Sequence, residues 1–199
     1  MNNSSILLLM GILVLLVGGC ATPIPAPEPT AMVPKMLKTS IPKRPGIYIE
    51  KPALDSVAKD GKAPFDEITG TFPFVQPQGL TNYQESVRLT LASVGAQTSD
   101  ERGKAAYILR TVILGGMAIP FPEAYSVLFV HYQLEDAITG KVLWSQNIYS
   151  QAKLEKTGPQ MGGNSTVDPA YGRLVAANLR QMVNSLSTWL AEKPNHTGN

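Results

Sequence analysis

The 199-residue sequence has one cysteine, two histidines and few charges. A single cysteine excludes an intramolecular disulfide and any cysteine-cluster metal site, and two histidines leave little room for a multi-histidine centre. No metal and no dissociable cofactor are expected. The net charge of +2 gives no electrostatic footprint for nucleic acid. Charged residues are 16% of the chain, against about 25% in a typical soluble domain. Part of that deficit lies at the amino terminus, where residues 1–34 hold a single charged side chain, Glu28. The length allows one or two domains and a core that needs no covalent staples.

What is present begins with an unbroken apolar run, Ile6 to Val17, followed by Gly18, Gly19 and Cys20. Twelve apolar residues suit a signal-peptide core. As a helix they rise about 18 Å against about 30 Å of hydrocarbon, too little for a permanent span. The stretch Leu16-Val17-Gly18-Gly19-Cys20 resembles the lipobox of bacterial lipoproteins. The resemblance implies cleavage between Gly19 and Cys20, a diacylglycerol on the Cys20 thiol and an acyl chain on the new amino group. Two or three chains anchor stably where one does not. The n-region departs from the pattern in lacking Lys and Arg, and Gly18 stands where a slightly larger small residue is commoner. Ala21 rather than Asp after the cysteine is similar to the pattern sent to the outer membrane of Gram-negative cells.

Eleven of the sixteen prolines lie between Pro23 and Pro77. The alternation Pro23-Ile24-Pro25-Ala26-Pro27-Glu28-Pro29 favours extended polyproline II. Residues 20–45 therefore read as a lipid-anchored spacer, able at about 3.1 Å per residue to hold a domain several nanometres from the bilayer. Its basic residues Lys35, Lys38, Lys43 and Arg44 read as solvating, with anionic lipid or wall polymer the alternative contact. The domain is expected at 46–193, and residues 194–199 as a disordered tail.

Within the domain, Gly46–Glu50 reads as a first strand bounded by prolines. Residues 51–81 show no clear period, with a short strand conceivable around Ile68–Phe74. A helix is expected over 82–95, capped by Asn82 with Glu85 reaching back, striped by Tyr83, Val87, Leu91 and Val94, and stopped at Gly95. The run 105–114 suits a central strand. Gly115-Gly116 and Gly162-Gly163 read as turns, since neither sits in a phosphate-binding motif. Residues 125–134 and 142–149 alternate around Asp136–Lys141, the signature of a β-hairpin. Asp168-Pro169 opens a last helix with Val175, Leu179, Met182, Leu186 and Leu190 on one face. The order β-α-β-β-β-α predicts the α+β class: a small mixed sheet of about four strands with two helices packed on one face.

No catalytic set emerges. Cys20 is committed to lipid, His196 lies in the tail, and His131 sits mid-strand with no nucleophile elbow anywhere. The pairs Asp66-Glu67 and Glu135-Asp136 read as solvated rather than as acid/base couples, because strand neighbours point to opposite faces. If Phe129, His131, Asn147 and Tyr149 share the outer face of the hairpin, they form a partner surface or, more simply, cross-strand pairs under solvent.

The run Val130-His131-Tyr132-Gln133-Leu134-Glu135-Asp136-Ala137-Ile138-Thr139-Gly140-Lys141-Val142-Leu143-Trp144-Ser145, with Ala105-Ala106-Tyr107 before it, resembles a hairpin of small envelope lipoproteins. Similar order occurs in the amino-terminal domain of the Tol-system propeller protein and in lipoprotein activators of penicillin-binding proteins. The resemblance covers about residues 83–190. That likeness does not fix function; the lipobox, the proline tether and the missing catalytic set lead to the expectation of a non-enzymatic periplasmic lipoprotein, held in the bilayer of the outer membrane through Cys20, that binds an envelope protein. The alternative is an auxiliary lipoprotein of lipid or envelope transport with an apolar ligand. A cell-wall hydrolase is the third reading.

Overall fold

The computed structural model describes residues 26–41, 46–55, 77–119, 125–153 and 169–192. Cys20, the Ile68–Phe74 segment, Asp66-Glu67, Asp168, Gly162-Gly163 and His196 lie outside those residues. Strands β1 (Ile47–Ile49), β2 (Ala53–Leu54), β3 (Thr98–Ser99), β4 (Tyr107–Ile119), β5 (Tyr125–Asp136) and β6 (Val142–Lys153) form one sheet. Its order is β3-β1-β4-β5-β6, with β2 also on β4. The α+β class is as expected, and the sheet is larger than four strands because β2 and β3 add two residues each.

β1 runs parallel to β4 against Tyr107–Leu109, and β2 continues along β4 against Val112 and Ile113. Buried Pro52, which has no N–H to donate, stands between them. β4, β5 and β6 form an antiparallel meander. At its β5–β6 turn, Asp136 Oδ1 accepts from the Ile138 and Thr139 amides at 3.1 and 2.8 Å and from the Thr139 hydroxyl at 2.9 Å. Those bonds, the Thr139 amide foremost, hold the Asp136 carboxyl below its ordinary pKa. Gly140 takes φ +68 to close the turn.

Gly115-Gly116 is not a turn. β4 runs through both glycines, with Gly115 opposite Phe129 and Gly116 opposite Leu128. The register slips between Ile113 and Gly115, leaving Leu114 as the extra residue of a β-bulge. Glycine here accommodates the bulge without breaking the strand.

Helix α1 (Pro77–Ser93) starts five residues earlier than expected, so Asn82 lies inside it and caps nothing. Glu85 instead pairs with Arg88 at 2.5 Å. The stripe itself is as expected: Tyr83, Val87 and Leu91 are fully buried and Val94 nearly so. Gly95, at φ +84, ends the helix while the Ala96 amide donates back to the Leu91 carbonyl at 3.0 Å. Helix α2 (Pro169–Glu192) starts at the expected proline and buries Val175, Leu179, Met182, Leu186 and Leu190. Both helices lie on one sheet face, since both reach the same β5 side chain. Tyr132 Oη meets Tyr83 Oη of α1 and donates to Asn178 Oδ1 of α2 at 2.6 Å. Asn178 Nδ2 donates in turn to the Ile148 carbonyl and Ser150 Oγ, each at 3.2 Å. Burial pushes both phenols well above their ordinary pKa; the bond from Tyr132 partly offsets this at Tyr83.

Residues 26–41 correct the expected spacer. They form a strap packed on both helices, so the folded body includes them rather than starting at residue 46. A short 3-10 helix, Pro29–Met32, places Met32 in the core at 0% exposure. Burying that side chain contributes about 1.5–3 kcal/mol. Asn82 Nδ2 donates to the Pro27 carbonyl at 3.0 Å, and Arg180 Nη2 to the Lys35 carbonyl at 2.9 Å. Thr39 Oγ1 donates to Asn184 Oδ1 at 2.9 Å, and the Ile41 amide to the Val94 carbonyl at 2.8 Å. The proline pattern correctly excludes regular structure, but it does not exclude packing. Extended chain with apolar side chains can fill the groove between two helices.

Candidate functional site

The sheet face opposite the helices is built by strand alternation. Leu128, Val130, Tyr132 and Leu134 point to the helices and are buried, so Phe129, His131, Gln133 and Glu135 point away. The β5–β6 register sets Phe129 opposite Tyr149 and His131 opposite Asn147. All four residues expected on one outer face are therefore there together. His131 Nδ1 lies 2.6 Å from Asn147 Oδ1, an arrangement satisfied by the Nδ1–H tautomer donating to the amide oxygen. Tyr149 is 52% exposed and its hydroxyl donates to Gln151 Oε1 at 3.2 Å. On the other side of Phe129 the opposed residue is Gly115, so no β4 side chain stands across from the ring. The hydrogen bond of His131 is to an amide, which is no nucleophile. The four residues place two aromatic rings, an imidazole and an amide side by side on a two-strand platform.

Beside them runs a chain of charges that sequence reasoning missed. Glu135 is buried rather than solvated, at 8% exposure. Its Oε1 sits 2.8 Å from Arg110 Nε and accepts from Gln133 Nε2 at 2.6 Å. Arg110 Nη1 reaches Glu50 Oε2 at 2.7 Å, and Arg102 Nη1 reaches Glu50 Oε1 at 3.2 Å. Burial of a carboxylate demands such a partner. Glu135 remained hidden because its partner lies on another strand. The available signal was Arg110, a lone cation inside an apolar run. Asp136, its neighbour, is spent on the turn. The paired carboxylates therefore point to separate structural tasks. Among the described residues no three His, Cys, Asp or Glu side chains gather as metal ligands.

Two clefts lie elsewhere. One of about 440 Å³ is lined by Met36, Leu37, Lys38, Thr39, Arg180 and Asn184, between strap and α2. One of about 300 Å³ lies at the β1–β3 edge beside α1, with Tyr48, Gln84, Arg88 and Asp100 among its lining. Polar side chains dominate both.

No protein-family model matches the chain, and no curated protein matches it. Solved structures do match. XCC0632 from Xanthomonas campestris, of the DUF330 family, is similar with TM-score 0.54 and 10% identity, over 79% of this chain and 91% of that one. Lipoprotein GNA1162 from Neisseria meningitidis matches with TM-score 0.31 and 17% identity, over 71% of this chain and 99% of that one. PelC from Paraburkholderia phytofirmans, a dodecamer, matches with TM-score 0.45 and 13% identity, over 75% and 94%. The Xanthomonas protein shares the fold of this chain, and the other two are weaker likenesses. Among the described residues no helix is long and apolar enough to cross a membrane.

Proposed function

We propose that the chain is a lipoprotein of the bacterial envelope, anchored through acylated Cys20 on the periplasmic side of the outer membrane, that binds another envelope protein without catalysing a reaction. The observation that carries the reading is Cys20 directly after Gly18-Gly19 and the apolar run Ile6–Val17. Diacylglycerol on the thiol and an amino-terminal acyl chain supply the anchor. The partner surface is the outer sheet face carrying Phe129, His131, Asn147 and Tyr149. Its rings and polar groups match the composition of interface hot spots more closely than that of a reaction centre.

The anchoring claim is tested by the mass of the mature amino terminus. The expected result is a chain beginning at Cys20 with the mass of a diacylglycerol and an acyl chain added. An unmodified Cys20, or processing indifferent to an inhibitor of lipoprotein signal peptidase, refutes it. The partner claim is tested by placing a photo-cross-linking residue at Tyr149 in cells. A discrete envelope-protein adduct, lost with Phe129→Ala, supports it; no adduct above that of an exposed control position refutes it. An apolar-ligand carrier needs an apolar cavity, whereas the two clefts described above are lined mainly by polar side chains. Lipid co-purifying in native mass spectrometry would favour the carrier instead.

A further inference from the structure

The strap changes where the body stands relative to the bilayer. Asn82 pins the Pro27 carbonyl, and the chain from Cys20 to that point is seven peptide steps. Fully extended, it spans about 23 Å from Cys20 to Pro27. That distance is too short to hold the body clear of the membrane by its own width. A body held that near the bilayer can bring one face to the headgroups.

Charge singles out one face. The strap from Pro29 to Ile41 contains Lys35 and Lys38 and no carboxylate. α2 beneath it carries Arg173 and Arg180, and its first acidic residue is Glu192 at the very end. Neither lysine meets a carboxylate among the described residues. Between the two lysines Met36 takes φ +57, a left-handed conformation that a residue with a Cβ adopts at a cost. The same residue is 92% exposed. Its neighbour Leu37 packs against the core, which holds the strap on both sides of the protruding thioether. The patch is also within reach. Ala31 lies against Gly172 and Lys35 is bonded by Arg180, so the strap advances about 12 Å along α2 between these points. That advance is less than the maximum of about 23 Å between Cys20 and Pro27.

We infer that the face formed by the strap and α2 docks on a leaflet of anionic phospholipid, with Lys35 and Lys38 at the headgroups and Met36 inserted between them. Cations near such a surface attract it, and a single apolar side chain adds a short-range contact. The outer sheet face is then turned away from the membrane, open to a protein partner. The inference rests on the anchoring reading for its reach argument and is tested without the acyl chains.

The experiment uses the mature chain from residue 20 with Cys20→Ser, which retains every described element. Binding is measured by flotation with vesicles of phosphatidylethanolamine and phosphatidylglycerol, and with vesicles of phosphatidylcholine alone. Expected is binding to the anionic vesicles that falls steeply with salt. Lys35→Gln with Lys38→Gln weakens it about thirty-fold, with an unchanged circular dichroism spectrum. Because Cys20 is the chain's one cysteine, Met36→Cys on that background takes a polarity-sensitive dye at a single site. Its emission shifts to the blue on anionic vesicles, whereas the same dye at Ile138→Cys, on the 93%-exposed hairpin turn, does not shift. Equal binding to both vesicle types, indifference to the lysine substitutions, a shift at both dye positions or at neither, or pelleting with purified wall polymer in place of vesicles overturns the inference. Failure of the anchor shows instead as an unmodified Cys20 in cells, a separate measurement.

Discussion

Tyr132 joins four elements through one hydroxyl, so Tyr132→Phe is a sharp perturbation of this fold. The phenol meets Tyr83 Oη from α1 and donates to Asn178 Oδ1 from α2, and Asn178 in turn bonds the β6 backbone and Ser150. Removing the hydroxyl strips Asn178 Oδ1 of this donor and Tyr83 of this bond, inside a core where Tyr132, Tyr83 and Asn178 are all at 0% exposure. A buried polar group that loses its partner costs about 1–3 kcal/mol. Two affected groups give about 3 kcal/mol, a fall in Tm of about 6–12 °C for a chain of this size. Tyr83→Phe removes the other phenol instead. It leaves the Tyr132–Asn178 bond intact and should cost about 1 kcal/mol. Thermal unfolding followed by circular dichroism, with the double variant to close a cycle, measures both. A Tyr132→Phe loss no larger than that of Tyr83→Phe, or one below about 2 °C, refutes the network as a source of stability.

Three further outcomes are expected. Tyr83 and Tyr132 should fail to ionise as the pH passes through 10–11 in a spectrophotometric titration. Their folded pKa values lie above the unfolded value, so their contribution is intact below pH about 10 and is lost as pH rises toward the folded values; full ionisation with native far-ultraviolet dichroism would contradict this. Gly172→Ala should cost about 1–3 kcal/mol, because an added Cβ would stand 2.9 Å from the Ala31 carbonyl oxygen. It should also speed tryptic cleavage at Lys35 and Lys38 as the strap lifts; an unchanged cleavage rate would show that the strap is held elsewhere. Thr111→Val should be neutral or stabilising by about 1 kcal/mol, since Thr111 Oγ1 is buried without a hydrogen-bond partner among the described residues. A loss above about 1 kcal/mol in denaturant unfolding would mean that the hydroxyl is satisfied.

Local pattern carried much of this fold. The helical stripes of Tyr83, Val87 and Leu91 and of Val175, Leu179 and Met182, the Gly95 stop, the Pro169 start and the Asp136–Lys141 turn are all one-element features. Each depends on residues within a few positions of one another, so each was legible. The pairing of His131 with Asn147 and of Phe129 with Tyr149 was nearly so, because a hairpin's register follows from its turn. The misreadings fall where a partner is distant in sequence. Asn82 looked like a cap because Pro27, which its side chain meets, is far away in the chain. Glu135 looked solvated because Arg110 is on the neighbouring strand. Gly115-Gly116 looked like a turn because the ring opposite, Phe129, belongs to β5.

The sequence by itself determined the main elements: the two amphipathic helices and the hairpin. Those are set by short-range chemistry, namely the period of apolar residues, φ fixed by proline and φ freed by glycine. Tertiary structure alone decided what the proline-rich segment does. Its extended conformation was legible, yet whether extended chain stays in solvent or fills a groove depends on the shape of the two helices it meets. Met32 in the core, Pro27 held by Asn82 and Lys35 held by Arg180 turn an expected spacer of several nanometres into a strap. Pro27 therefore lies at most about 23 Å from Cys20, over seven peptide steps.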